Sequence, residues 1–286
     1  MTAYYDRQEW ARAAGKNPNA KIICVSSGKG GVGKTLSVVY LASFACKLGH
    51  KVLIIDGDFG MSNVDVVLGL NARYNIRDVF DGRASIKDII LTGPFGLKLV
   101  PSGSGLASLQ QLSFIQKQIL LEDLKSLQEE FDLVILDSGA GIGSNVIYLN
   151  EMAHKSLVVT SPEPHAITDA YALIKVIKES SDIREVDLIV NMTKTANEGQ
   201  QVGLRIANVA NEFLNMKVNY VGSVPLDPIM IRSILQRNIA SEESTKSIAA
   251  QAWAKITRDI LENFNPIRNI DTKAIFSSFI NSSMSL

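Results

Sequence analysis

Residues 27–35 read SGKGGVGKT, and no other stretch limits the possible folds so sharply. The pattern G-x-x-x-x-G-K-[ST] is met by Gly28, Gly33, Lys34 and Thr35, with Gly30, Gly31 and Val32 completing the loop. Residues 21–26 (KIICVS) before it read as a buried strand. After it, Val38, Leu41, Ala42, Ala45 and Leu48 recur at helical spacing, and Gly49 is placed to end that helix. In this setting successive backbone N–H groups turn inward to cradle β- and γ-phosphates, and the helix N-terminus adds its positive dipole end. The chain must therefore contain a strand–loop–helix unit, and such units belong to parallel α/β sheets.

The remaining sequence repeats that alternation. Residues 51–56, 133–137, 157–160, 187–191 and 218–224 read as strands, with 99–100 as a short additional one. Helical spacing is expected at 114–131, about 169–179, 200–214 and 248–264. These predict a mostly parallel twisted sheet flanked by helices on both faces. Residues 21–264 contain no Pro-, Gly- or Ser-rich linker and no repeat, so one ATPase-sized domain is expected there. Residues 1–20 form an N-terminal appendage and 265–286 a C-terminal tail.

Lys34 is suited to neutralise phosphate charge, and the Thr35 hydroxyl to ligate Mg²⁺. Two strands end in aspartate, LVILD at Asp137 and KVLIID at Asp56, and Asp58 follows two residues later. Carboxylates at strand ends beside a phosphate loop can reach a metal, although the same position also suits a turn or helix cap. Asp58 is the candidate for orienting an attacking water. Gly139, Gly141 and Gly143 allow a loop that moves when the γ-phosphate leaves, or only a tight turn.

Composition removes several other functions. The chain has 29 basic and 29 acidic residues, so coating nucleic acid is not its main task. Residues 198–264 hold seven of each sign, scattered without a basic stripe. The two cysteines, Cys24 and Cys46, lie in apolar stretches outside any C-x-x-C pair, which disfavours a cluster or zinc site. The N-terminus lacks a basic-then-apolar leader, and no window reaches about 18 uninterrupted apolar residues. A cytoplasmic protein is expected, with reversible peripheral contact to the inner membrane left open.

Lys29 is not required by a simple phosphate loop. With it, KGGVGKT resembles the deviant Walker A loop of the ParA/MinD family of ATPases. The resemblance covers about residues 21–264. It implies a Mg²⁺-dependent ATPase that hydrolyses ATP slowly, as a switch. It also implies a homodimer formed when ATP is bound, in which Lys29 reaches the partner's phosphates. Asp56-Gly57-Asp58-Phe59-Gly60 looks like the family's first switch segment, and Asp137-Ser138-Gly139-Ala140-Gly141 like its Walker B and second switch segment. Asn191 matches an adenine-contacting asparagine, and Pro225 and Asp227 fall in the adenine-side loop. A strand-end asparagine is otherwise a common turn residue.

Residues 162–173 (PEPHAITDAYAL) resemble the FlhG (FleN/YlxH) branch, as do 62–69, 93–96 and 101–105. That branch regulates flagellar number and placement. It implies an FlhF-type GTPase, flagellar C-ring proteins and a flagellar transcription activator as partners. Of the branch's N-terminal D-Q-A-x-x-L-R motif, Asp6 and Arg12 stand at matching positions. In the tail, Ile275, Phe276, Phe279, Ile280 and Met284 form an apolar stripe, fit for a membrane surface or for docking on protein. The alternatives are a ParA-like DNA-partition ATPase and a MinD-like division-site positioning ATPase.

Overall fold

A computed structural model describes residues 20–59, 63–103, 111–127, 130–237 and 246–264. Its strands are β1 (Lys21–Ser27), β2 (Val52–Gly57), β3 (Leu91–Thr92), β4 (Lys98–Val100), β5 (Leu133–Ala140), β6 (Lys155–Thr160), β7 (Glu185–Thr193) and β8 (Lys217–Pro225). The α-helices are α1 (Lys34–Lys47), α2 (Val64–Leu68), α3 (Ile76–Phe80), α4 (Phe114–Leu127), α5 (Ser144–Glu151), α6 (Pro164–Ser180), α7 (Ala196–Leu214), α8 (Pro228–Leu235) and α9 (Ile248–Glu262).

The strands form one sheet in the order β3-β4-β2-β5-β1-β6-β7-β8. All neighbours are parallel except the short edge pair β3–β4. Both faces are covered, which is why the strands read as continuous apolar runs. Ile23, Val25, Ile54 and Ile135 point to one face, where Val38, Leu41 and Ala45 of α1 pack with Trp253 and Ile256 of α9. Ile22, Cys24, Leu53 and Leu136 point to the other, against Leu120 and Leu124 of α4 and Leu149 of α5. Farther along that face, Leu188 and Val190 meet Leu173 and Ile174 of α6 and Ile206 of α7.

Several boundaries differ from the sequence expectation. Helix α6 starts at Pro164 rather than near 169, because a proline at the first helical position follows an extended Glu163. Helix α7 starts at Ala196 rather than 200, where the Thr195 hydroxyl accepts the Glu198 N–H. Helix α4 runs to Leu127, short of the expected 131. Helix α5 was not expected; its buried face carries Asn145 and Asn150, which hide the apolar period. The appendages, apart from Ala20, lie outside the described residues. So do Asp6, Arg12, Gly60, Ser62, Ser104, Gly105 and the apolar stripe of the tail.

The start of β1 meets the end of α9. Lys21 Nζ donates to the Leu261 carbonyl at 3.1 Å and lies 5.2 Å from the Phe264 ring centre. His154 packs edge-on against the same ring, and its Nδ1 accepts the Ile22 N–H at 3.0 Å. This junction lies at the N-terminal ends of the parallel strands, opposite the phosphate loop.

Candidate nucleotide site

The chain leaves β1 toward β2 on one side of β5, and leaves β5 toward β6 on the other side of β1. Strand order therefore reverses at β5–β1, the point where open α/β sheets form a crevice at their carboxyl ends. The register pairs Asp137 with Asp56 on β2 and with Val25 on β1. The two strand-end aspartates and the loop after β1 share one crevice as a direct result of that order.

Within the loop, Gly31 and Gly33 adopt φ of +85°, a left-handed conformation that a side chain would strain. As the N-cap of α1, Gly33 has no side chain to occupy the first-turn N–H groups, which stay available to an anion. Gly28 serves another contact. A Cβ there would lie 2.0 Å from the Asp169 carbonyl oxygen, so the loop's first limb rests on the backbone of α6. Around Gly30 there is open space instead.

Lys34 and Asp137 form a buried ion pair, 7% and 1% exposed. Burial pushes the Asp137 carboxyl up from its usual range, while the Lys34 ammonium and the Thr35 hydroxyl pull it down. Asp137 Oδ2 is buried without a hydrogen-bond partner among the described residues. A buried carboxylate oxygen left over beside a threonine hydroxyl and a lysine suits a divalent cation carrying phosphate. The residues present fit Mg²⁺ with a nucleotide.

Asp56 is buried, and its Oδ1 accepts the Asp58 N–H at 3.0 Å. The Asp58 carbonyl accepts the Ser102 hydroxyl at 3.2 Å. The Asp58 carboxylate comes within 3.8 Å of where a Gly139 Cβ would stand, so the segments after β2 and at the end of β5 converge. Beneath them, Ser26 Oγ accepts from Asn150 Nδ2 at 2.8 Å and from the Ser138 hydroxyl at 3.1 Å. That buried bond set joins the strand before the phosphate loop to both ends of the glycine-rich segment 139–143.

Lys29 does not project freely from the loop. Its Nζ lies 3.4 Å from Glu163 Oε2, at the N-cap of α6. On the opposite flank, Asn191 Nδ2 donates to the Val32 carbonyl at 2.9 Å, a contact that a Cβ on Gly33 would block. Met192 follows at φ +58°, an uncommon conformation for its residue type. Pro225 pairs with Thr193, and the Leu226 N–H donates to the Thr193 carbonyl at 2.9 Å, so the Asn191 and Pro225 segments lie side by side.

The Asp227 carboxylate is committed to helix capping. Oδ1 accepts the Ile229 N–H of α8 at 2.9 Å, and Oδ2 accepts the Ala249 N–H of α9 at 3.0 Å. It therefore sets the position of the loop after β8 rather than offering a free carboxylate.

The sequence reading missed Ser26 and Asn150, which carry no motif spacing, and placed Ser102 only within the segment 101–105, with no sign of its contact with Asp58. Glu163 was visible in PEPHA, but nothing linear indicates that it meets Lys29. Cys24 is buried and Cys46 half-buried, neither is in a disulfide, and burial pushes the Cys46 thiol up to about 11. Among the described residues no cluster of three His, Cys, Asp or Glu side chains could hold a metal by itself. No described helix is long and apolar enough to cross a membrane.

Comparison with known proteins bears on the family and the fold. A family model described as an AAA domain matches residues 20–190. The antiactivator FleN of Pseudomonas aeruginosa is 34% identical over 240 residues, 84% of this chain and 86% of that protein. The flagellum site-determining protein YlxH of Helicobacter pylori is 33% identical over 239 residues, 83% and 81% of the two chains. Among solved structures, the septum site-determining protein MinD of Pyrococcus horikoshii, complexed with Mg-ADP, superposes with a TM-score of 0.70 at 25% identity. That match covers 85% of this chain and 98% of MinD.

Proposed function

Since the chain belongs to the MinD/ParA family of P-loop ATPases, we propose that it is an ATP-dependent dimerising switch that regulates flagellar number or placement. The observation that carries the switch is the buried Lys34–Asp137 pair with its spare carboxylate oxygen, beside the phosphate loop. The flagellar assignment is supported by the likeness to FleN and YlxH.

In this reading the N–H groups of residues 28–35 hold the phosphates, and Lys34 shifts from Asp137 to the phosphate oxygens. Thr35, Asp56 and Asp137 would hold Mg²⁺. Bound Mg·ATP would supply an electrophilic γ-phosphorus, with ADP as the leaving group. Asp58 orients the water, held by Asp56 through its N–H. Asn191 presents its amide to the adenine edge, and the loop around Pro225 and Asp227 closes that side. Lys29 crosses to the partner subunit's phosphates, so charge stabilisation requires association. Slow hydrolysis then times the life of the dimer. An FlhF-type GTPase, C-ring proteins or a flagellar transcription activator read the ATP form, and the tail after residue 264 gives reversible membrane contact.

Affinity capture with ATP-loaded Asp58→Ala protein tests the assignment. Recovery of flagellar components supports it. Recovery of chromosomal DNA or division-site proteins overturns the flagellar part, and failure of the unmodified protein to bind ATP overturns the switch itself.

A further inference from the structure

Asp58 is held by its backbone as well as presented by its side chain. Its N–H is fixed by Asp56, a residue of the nucleotide crevice. Its carbonyl is fixed by Ser102, which lies on the segment after β4 and has no place in the phosphate or metal machinery. Ser102 is wholly buried. Its segment is in turn fastened to α3: the Ile76 N–H donates to the Pro101 carbonyl at 2.9 Å. Gly103, at φ +81°, lies so close to the N-cap Asn75 that a Cβ would fall 2.8 Å from its side chain. Asn75 and Asp78 close a reciprocal capping box around the start of that helix.

We propose that Ser102 is a positioning residue for ATP hydrolysis, setting the Asp58 carboxylate through the Asp58 carbonyl. The proposal rests on the reading of Asp58 as the water-orienting group. A carboxylate that orients water must be fixed to a fraction of an ångström, and small misplacements lower rates steeply. The bond to the Asp58 N–H restrains the peptide group before its Cα; the bond to the Asp58 C=O restrains the one after it, and together they limit rotation about the Cα that carries the carboxylate. Helix α3 and the capping box thereby become part of what sets the hydrolysis rate, although neither touches nucleotide.

Two substitutions separate positioning from packing. Ser102→Ala removes the donor and leaves a small gap. Ser102→Cys fills the same space with a weak donor. Both are expected to lower kcat about tenfold or more while the ATP Kd stays within about twofold and Tm changes little. In an Asp58→Ala background neither should lower the residual rate further, since the group being positioned is gone. Full activity in Ser102→Cys with loss in Ser102→Ala would mean that packing alone matters, and would overturn the proposal. So would a loss confined to ATP binding, or equal fractional losses with and without Asp58. If Asp58→Ala alone keeps full turnover, the reading of Asp58 fails first, and that result is distinguishable because it does not involve Ser102.

Discussion

Lys29 and Glu163 are ion-paired at 3.4 Å across 134 positions of sequence, inside a single chain. A lysine that serves a partner subunit must first leave this contact. The two side chains are 39% and 69% exposed, so the pair contributes at most about 1 kcal/mol. The contact is a weak latch. With two such pairs broken per dimer, Glu163→Gln should strengthen ATP-dependent dimerisation by up to about 30-fold, whereas Lys29→Ala should abolish it. Light scattering with hydrolysis blocked by Asp58→Ala measures both, and dimerisation that survives Lys29→Ala removes the trans role.

The loop glycines are not equivalent. Gly28→Ala drives a methyl into the Asp169 backbone, which cannot turn aside as a side chain could. It should cost about 3 kcal/mol or more of stability without nucleotide. Gly30→Ala meets nothing within 4 Å and should stay within about 0.5 kcal/mol. Denaturant unfolding of the two apoproteins provides the comparison; equal midpoints would contradict the packing of the loop on α6.

Asp137→Asn leaves the Lys34 ammonium buried beside a neutral amide. Removing one member of such a pair costs about 3–5 kcal/mol, and the loss of a metal-facing oxygen should weaken Mg·ATP binding by about 100-fold. Calorimetric titration and thermal unfolding read the two effects separately. Tight ATP binding in this variant would exclude Asp137 from the metal site.

Asp123 on α4 has a different consequence for pH. Burial, aided by the nearby Glu122, pushes its carboxyl up to about 6, and its Oδ2 is buried without a hydrogen-bond partner among the described residues. The folded state therefore holds a proton that the unfolded chain releases near the ordinary carboxylate value. Stability falls as pH rises between those two values and is then level. Because the residue is partly exposed, the penalty at pH 7 is discounted to about 1 kcal/mol. Asp123→Asn should recover that amount at pH 7.5 and about half of it at pH 5. A gain in Tm that is independent of pH would disprove it.

The parallel sheet was legible because strands buried on both faces leave continuous apolar runs, as in KIICVS and KVLIID. Helices with apolar faces, such as α9, were found for the same reason. Helix α5 escaped because Asn145 and Asn150 occupy its buried face, where their bonds to the Leu112 N–H and to Ser26 replace apolar packing. At the site, Lys34, Thr35, Asp56, Asp58 and Asp137 announced themselves by motif and strand-end position. Ser102 and Glu163 did not. Each acts through one hydrogen bond or ion pair to a residue distant in sequence, and such pairings follow from the strand order rather than from any local spacing.

The meeting of Lys21 with Leu261 and Phe264 has a mechanical consequence. Both appended segments depart from one pole of the sheet. A partner bound through residues 1–19 and another bound through residues 265–286 would be joined to the same pole, so two such attachments would reinforce each other as avidity. The phosphate loop sits about 23 Å away, at the far end of the seven residues of β1. An attachment at that pole would leave the phosphate-loop end of the sheet uncovered.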